Sequence, residues 1–210
     1  MTIPPFFTDL AALIPGLITD IRYAGAGNFI GEPVDGYHAP RGLLTQEAAQ
    51  ALAGVQDDLA ASGLGLKVFD GYRPVRAVQH FVRWAQDAGD IRGKAEFYPH
   101  LDKPDLFRLG FISADSAHCR GSTVDLTLVI LATGDELPMG SAFDFFGPES
   151  CLDYSGLSPN ERANRDRLHA AMAARGFEGF EQEWWHFTLR GEPYPATRFD
   201  FPITRDEGGA

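Results

Sequence analysis

The sequence predicts one α+β domain with a mostly antiparallel central sheet flanked by helices. Three amphipathic helical segments mix with short β-rich runs, without the strand–helix–strand rhythm of a parallel sheet. No internal repeat, low-complexity tract or charge block divides the chain. Its 210 residues suit a single domain with a real core, so 1–210 is read as one unit.

Each element has a local reason. Thr45 is placed to cap a helix whose Ala48, Leu52, Val55 and Leu59 fall on one stripe, and Gly63 follows its end. Pro74 suits a first helical position; Val75, Val78, Phe81, Val82 and Ala85 follow it, with Gly89 as the stop. Ser158-Pro159-Asn160-Glu161 is a capping box that opens a helix through Leu168 and Met172 to Gly176. Strands are expected over 66–69, 122–130 and 184–189. The stretch 90–115 has little periodicity, which fits either a long loop over the site or short elements.

Composition narrows the function. The net charge is -11, with no Lys/Arg cluster, which argues against nucleic acid or an anionic membrane as partner. The acidity serves solubility or suits a substrate carrying an ammonium group. Two cysteines, Cys119 and Cys151, are too few for a disulfide scaffold. The apolar patch at 10–18 is broken by Pro15, flanked by Asp9 and Asp20, and has no basic segment before it. It therefore fails as a signal peptide, and no apolar run is long enough to span a bilayer. A cytoplasmic location is expected.

Two segments carry the chemistry. Ser116-Ala117-His118-Cys119-Arg120-Gly121-Ser122-Thr123-Val124-Asp125 and Glu183-Trp184-Trp185-His186 together offer two imidazoles, one carboxylate ligand and one spare carboxylate. Zinc accepts imidazole nitrogen and carboxylate oxygen at roughly 2.0–2.2 Å, and a catalytic site keeps one position open for water. His118, Asp125 and His186 would then hold the metal, with Glu183 as proton acceptor. Arg73, in Phe69-Asp70-Gly71-Tyr72-Arg73-Pro74, offers a permanently charged fork for an oxyanion. Pro74 biases it toward an extended conformation, and Asp70 is near enough in sequence to hold the guanidinium.

Strand alternation places Asp125 with Thr123 and Thr127 on a polar face, opposite Val124, Leu126 and Leu128. His186 faces away from Trp185, Phe187 and Leu189. Glu183 lies an odd number of residues from His186, so a bulge or a loop start is needed to bring both into one site.

Bland readings stand beside these. An isolated His or Asp is usually a surface or hydrogen-bonded structural residue, and such spacings also arise by chance. His38, His80, His100 and His169 are assigned to that class, His169 as facing out of a polar helix. Trp184 and Trp185 read as packing, Asp70 also as a turn cap. Cys119, adjacent to His118, reads as a small inert side chain rather than a nucleophile.

Leu66-Lys67-Val68-Phe69-Asp70-Gly71-Tyr72-Arg73-Pro74, the segment from Ser116 to Leu128, Phe143-Asp144-Phe145-Phe146-Gly147 and Glu183-Trp184-Trp185-His186-Phe187 resemble the D-alanyl-D-alanine dipeptidases of the VanX type. The likeness runs from Asp20-Ile21-Arg22-Tyr23 and Asn28-Phe29 to Glu192-Pro193-Tyr194-Pro195 and Phe199-Asp200-Phe201-Pro202, nearly the whole chain. Several motifs in order are far more specific than any one.

The resemblance implies hydrolysis of a small D-amino-acid dipeptide, D-Ala-D-Ala, with one zinc ion per chain. His118, Asp125 and His186 would be the ligands, Glu183 the base and Arg73 the oxyanion stabiliser. Tyr23, Asp70, Ser116 and Asp144 fall in motifs resembling substrate-pocket segments, Asp144 suiting an ammonium. Cys119 stands where serine is expected, and Glu149-Ser150-Cys151 where a Ser-His pair is common; both bear on substrate preference rather than reaction type. The alternatives are a related peptidoglycan D,D-carboxypeptidase or endopeptidase, and a non-catalytic zinc-binding module. The presence of both Glu183 and Arg73 argues against the module.

Overall fold

The computed structural model describes residues 3–205. The expected single domain includes residues 1–2 and 206–210, which lie outside the described residues. In chain order the elements are β1 (Phe7–Asp9), α1 (Leu10–Leu13), β2 (Ile18–Thr19), β3 (Leu43–Thr45), α2 (Gln46–Ala60), β4 (Leu64–Asp70) and α3 (Val75–Gln86). Then come α4 (Lys94–Phe97), α5 (Lys103–Arg108), β5 (Thr123–Ile130), α6 (Pro159–Ala174), β6 (Phe177–Phe180) and β7 (Glu183–Leu189).

The fold class is α+β, as expected. The main sheet has the order β2-β4-β5-β7-β6. Its pairings are antiparallel except β2 with β4. Helix α2 packs on β4, and α6 packs on β5 and β6. Their apolar stripes, Leu52, Val55 and Leu59 from α2 and Leu168 and Met172 from α6, cover Leu66, Val68, Val124, Leu126 and Leu128. This fixes one face of the sheet as core and leaves the other for the site. Among the described residues no helix is long and apolar enough to cross a membrane.

Differences from the sequence reading have identifiable causes. Pro74 precedes α3 as its cap, with an extended ψ of 148°, because the first helical donors bond elsewhere. Val75 N–H donates to Phe199 O, and Arg76 N–H to Asp200 Oδ1 at 2.8 Å. The helix also stops before Gly89: the buried Lys103 ammonium caps the carbonyls of Trp84 and Asp87, each at 2.7 Å. The stretch 90–115 holds the short helices α4 and α5. His169 does not face out; its Nε2 lies 3.3 Å from Trp184 O, and its ring packs on Phe187. Both cysteines are free thiols, Cys119 buried and Cys151 partly so.

The turn before β5 is the tightest local constraint. Residues 117–120 form one 3-10 turn that ends at Gly121 with φ +80°. A Cβ at Gly121 would collide with the Phe7 ring, while Gly121 O accepts from Thr45 N–H at 2.7 Å. Glycine is required here both by backbone conformation and by the approach of β1 and β3. Gly121→Ala is therefore expected to cost about 2–4 kcal/mol. A calorimetric or circular-dichroism melt would read a midpoint lowered by roughly 5–15 °C.

Candidate metal centre and active site

Three neighbouring strands deliver one row of side chains. Asp70 on β4 pairs with Asp125 on β5, and Asp125 pairs with His186 on β7. The register between Val68 and Asp70 shifts by a bulge, and without it Asp70 would point to the opposite face. A second register shift joins β6 to β7: Gly179 pairs with Phe187 but Phe180 with Glu183. That is the irregularity required to bring Glu183 beside His186, and its carboxylate Oε2 lies 3.5 Å from His186 Nδ1.

Three donor atoms converge. His118 Nε2 lies 3.2 Å from Asp125 Oδ2, His186 Nδ1 lies 3.1 Å from Asp125 Oδ1, and the two imidazole nitrogens are 3.3 Å apart. A tetrahedral ion with ligands at roughly 2.0–2.1 Å has edges of about 3.3 Å, and each imidazole nitrogen lies near that spacing from the other and from one Asp125 oxygen, a cluster close enough to hold one metal ion. Other observations agree. His118 Nδ1 sits 2.7 Å from Gly71 O and must donate there, which leaves the Nε2 lone pair facing the cluster. Asp125 Oδ1 is buried and makes no well-aligned hydrogen bond, although His186 Nδ1 lies 3.1 Å away. Among the described residues His118, Asp125 and His186 form the one group with this metal-ligand geometry.

Electrostatics favour a cation as well. Burial pushes the His118 imidazole pKa down, which favours its neutral, lone-pair-bearing form. His186 is raised: burial works to lower it, but Asp125 and the Glu183 charge prevail. Burial would also raise Asp125, yet the two imidazoles hold it far below the usual carboxylate range. Burial lifts Glu183 to about 7, which poises it to exchange a proton near neutrality.

Arg73 lies against this row. Its Nε donates to Asp70 Oδ2 at 2.9 Å and its Nη2 to Asp125 Oδ2 at 3.3 Å. The guanidinium carbon sits 4.9 Å from the Tyr23 ring centre and 5.1 Å from that of Phe81. Asp70 also accepts from Tyr37 Oη at 2.7 Å. Of the expected pocket residues, Asp70 is thus fully buried and does not line the cavity; it anchors Arg73.

A cavity of about 440 Å³ opens over the row. Tyr23, Arg73, Ser116, His118, Asp125, Asp144, Glu183 and His186 all line it. Tyr23 Oη donates to Asp144 Oδ2 at 2.9 Å. Asp144 has φ +60°, a strained conformation for a non-glycine residue, and burial raises its carboxyl well above the ordinary range. The loop carrying it is fastened by the buried Arg165, whose guanidinium donates to Met139 O, Glu149 O and Cys151 O at 2.6, 2.6 and 2.8 Å. Glu149-Ser150-Cys151 therefore belongs to this fastening. The Cys119 thiol is buried and pushed up to about 11, the pKa of an inert side chain.

Several wall residues were missed by sequence reasoning. Phe111, Phe146 and Phe180 line the cavity, as does Arg120, ion-paired to Glu192. Trp185 is packed, as expected, but also faces the cavity. Arg120 lies inside the histidine motif and Glu192 inside a quoted closing motif, so position alone could have flagged them.

The family model described as D-ala-D-ala dipeptidase (Peptidase_M15) matches residues 6–204. A D-alanyl-D-alanine dipeptidase of Enterococcus faecium is 44% identical over 197 residues, 94% of this chain and 98% of that one. Its counterpart in Streptomyces coelicolor is 45% identical over 197 residues, with the same coverage. That of Enterococcus faecalis is 41% identical over 198 residues, again 94% and 98%. A solved structure of the vancomycin resistance D,D-pentapeptidase VanY aligns at a TM-score of 0.44 and 14% identity over 74% of this chain and 77% of that one, too distant to carry residues across. With a family model covering nearly all of it and relatives aligned almost end to end, this chain belongs to the D-alanyl-D-alanine dipeptidase family and is a peptidase.

Proposed function

We propose that this protein hydrolyses D-Ala-D-Ala to two D-alanines, using one zinc ion per chain held by His118, Asp125 and His186. The observation that carries this reading is the convergence of those three side chains, with one ligand atom of each within 4.8 Å of the others, beside the carboxylate of Glu183. Zinc bound there supplies a Lewis acid and lowers the pKa of a water in its open position.

The chain's own residues do the rest. Glu183 takes the proton of the attacking water and delivers it to the departing amine, so proton and leaving group balance in one turnover. The N–H groups of Arg73 stabilise the carbonyl oxygen as it gains charge. Arg73 is suited to this because it stays charged: burial opposes the charge, but the surrounding Tyr23, Asp70 and Asp125 outweigh it. The Tyr23–Asp144 pair receives the substrate ammonium, whose approach favours the ionised carboxylate. Ser116 offers a hydroxyl from the wall. The limited cavity volume, about 440 Å³, supports a small peptide rather than a wall polymer as substrate.

The direct test is D-alanine release from D-Ala-D-Ala, with L-Ala-L-Ala as control, before and after chelation and zinc restoration. Turnover of the D,D dipeptide alone, lost with the metal and regained with it, is expected. Zinc-loaded protein inert toward D-Ala-D-Ala would overturn the reading. Zinc added to chelated protein should also raise the melting midpoint, by mass action on the folded state. His118→Ala should abolish that rise.

Glu183→Gln should retain zinc, measured by atomic emission, while kcat falls by about 10²–10⁴. The pH profile supplies its own check. The base works deprotonated, so kcat/KM falls as pH drops through its pKa, which burial lifts to about 7 and a bound cation pulls lower. An acid limb at or below about pH 7 is expected in the parent protein. If the residual activity of Glu183→Gln kept that limb, another group would be the base.

A further inference from the structure

A dipeptide zwitterion has two charged ends, and the mechanism above accounts for one. The ammonium meets Asp144. Among the residues lining the cavity the arginines are Arg73 and Arg120, and there is no lysine. Arg73 is engaged by Asp70 and Asp125 and faces the scissile carbonyl in the reading above. Arg120 has no part in it.

We propose that Arg120 binds the C-terminal carboxylate of the dipeptide and that Glu192 is its positioning residue; the proposal rests on the dipeptidase reading. Arg120 Nε donates to Glu192 Oε1 at 2.6 Å, and the two side chains are only 17% and 11% exposed. Among the described residues its two Nη groups have no hydrogen-bond partner. Anchoring a guanidinium through Nε leaves the end-on Nη1/Nη2 fork free, the geometry that grips a carboxylate with two parallel bonds. The nearby Asp115 does not compete, because Arg198 already holds both its oxygens, at 2.6 and 2.9 Å.

The ladder gives the direction. Asp125 pairs with His186, and the next pair on the same face toward the start of β5 is Thr123 with Thr188, their hydroxyls 2.9 Å apart. Arg120, in the turn that leads into β5, precedes that step, and Glu192, just past the end of β7, follows it. Tyr23, by contrast, sits under Arg73, at the β4 flank. A substrate with its ammonium at Asp144 and its carboxylate at Arg120 would lay its peptide bond across the metal ligands. A third residue at the C-terminal end would displace the carboxylate from Arg120, so the same contact would select dipeptides.

The test compares D-Ala-D-Ala with its C-terminal amide. The parent protein should favour the acid by roughly ten- to a hundredfold in kcat/KM. In Arg120→Met that ratio should collapse toward one, mainly through a raised KM for the acid. Glu192→Gln should reduce it partway. Should Arg120→Met fail to fold, Arg120→Lys keeps the charge without the fork and is expected to lose most of the ratio. Equal losses on acid and amide, or a parent protein indifferent to the amide, would overturn the Arg120 assignment while leaving the dipeptidase reading intact. No turnover of either compound by zinc-loaded parent protein would instead sink that reading, and this one with it.

Discussion

Asp125 is a carboxylate taken out of water, and the site is organised around that cost. An ionised carboxylate in an apolar interior is untenable without partners. Here His118, His186 and Arg73 all come within 3.3 Å of its oxygens. Two of these partners are fixed in turn: His118 by Gly71 O, and Arg73 by Asp70, which Tyr37 holds. Three positive or polarisable groups surround one buried anion. Electrostatic interactions are screened less there than in water, and the geometry is set before any ligand arrives.

That network exists because the sheet is irregular in two places. A regular β4 would turn Asp70 away from Asp125, and a regular β7 would turn Glu183 away from His186. The need for the second irregularity was legible from spacing alone, since an odd separation on a strand cannot place two side chains on one face. The first was not legible. Asp70 and Asp125 lie on different strands, and nothing in either segment announces their register. Local caps were legible in part: the capping box at Ser158 forms as written, because its partners are three residues apart. The start of α3, one residue after Pro74, is not legible locally because the acceptor for Arg76 N–H, Asp200, comes from far along the chain. The ligand residues were readable because their chemistry is rare. The walls were not, because phenylalanine looks the same in a core and in a cavity.

Buried cations do a second job outside the metal centre. Arg165 binds three carbonyls and no carboxylate, and burial lowers its pKa to about 10. Asn164 and Arg162, on the same helix, take the carbonyls of Pro138, Leu152 and Tyr154. A loop without its own ladder must satisfy its carbonyls somewhere, and α6 supplies the donors. The result is a rigid support for Asp144, whose left-handed backbone would otherwise relax. Strain at a ligand-facing carboxylate is thus held by bonds made on the far side of its loop.

The C-terminal segment completes the same logic from the opposite side. Tyr72 Oη donates to Phe201 O, Asp200 grips Arg76 through both carboxylate oxygens, and Phe199 takes Cys119 O. These contacts bracket Arg73 on either side in sequence, and Phe199 N–H also ties down the turn that carries His118. Phe199 and Phe201 pack on Phe7, the ring that excludes a side chain at Gly121. None of these residues reaches the cavity. The segments carrying Arg73 and His118 also meet directly, Arg73 N–H donating to His118 O at 3.3 Å, and the returning stretch of chain braces both from behind. A candidate metal site whose donors come from two strands and one turn needs such a clamp, because an error of about 1 Å in any one donor costs most of the benefit of the others.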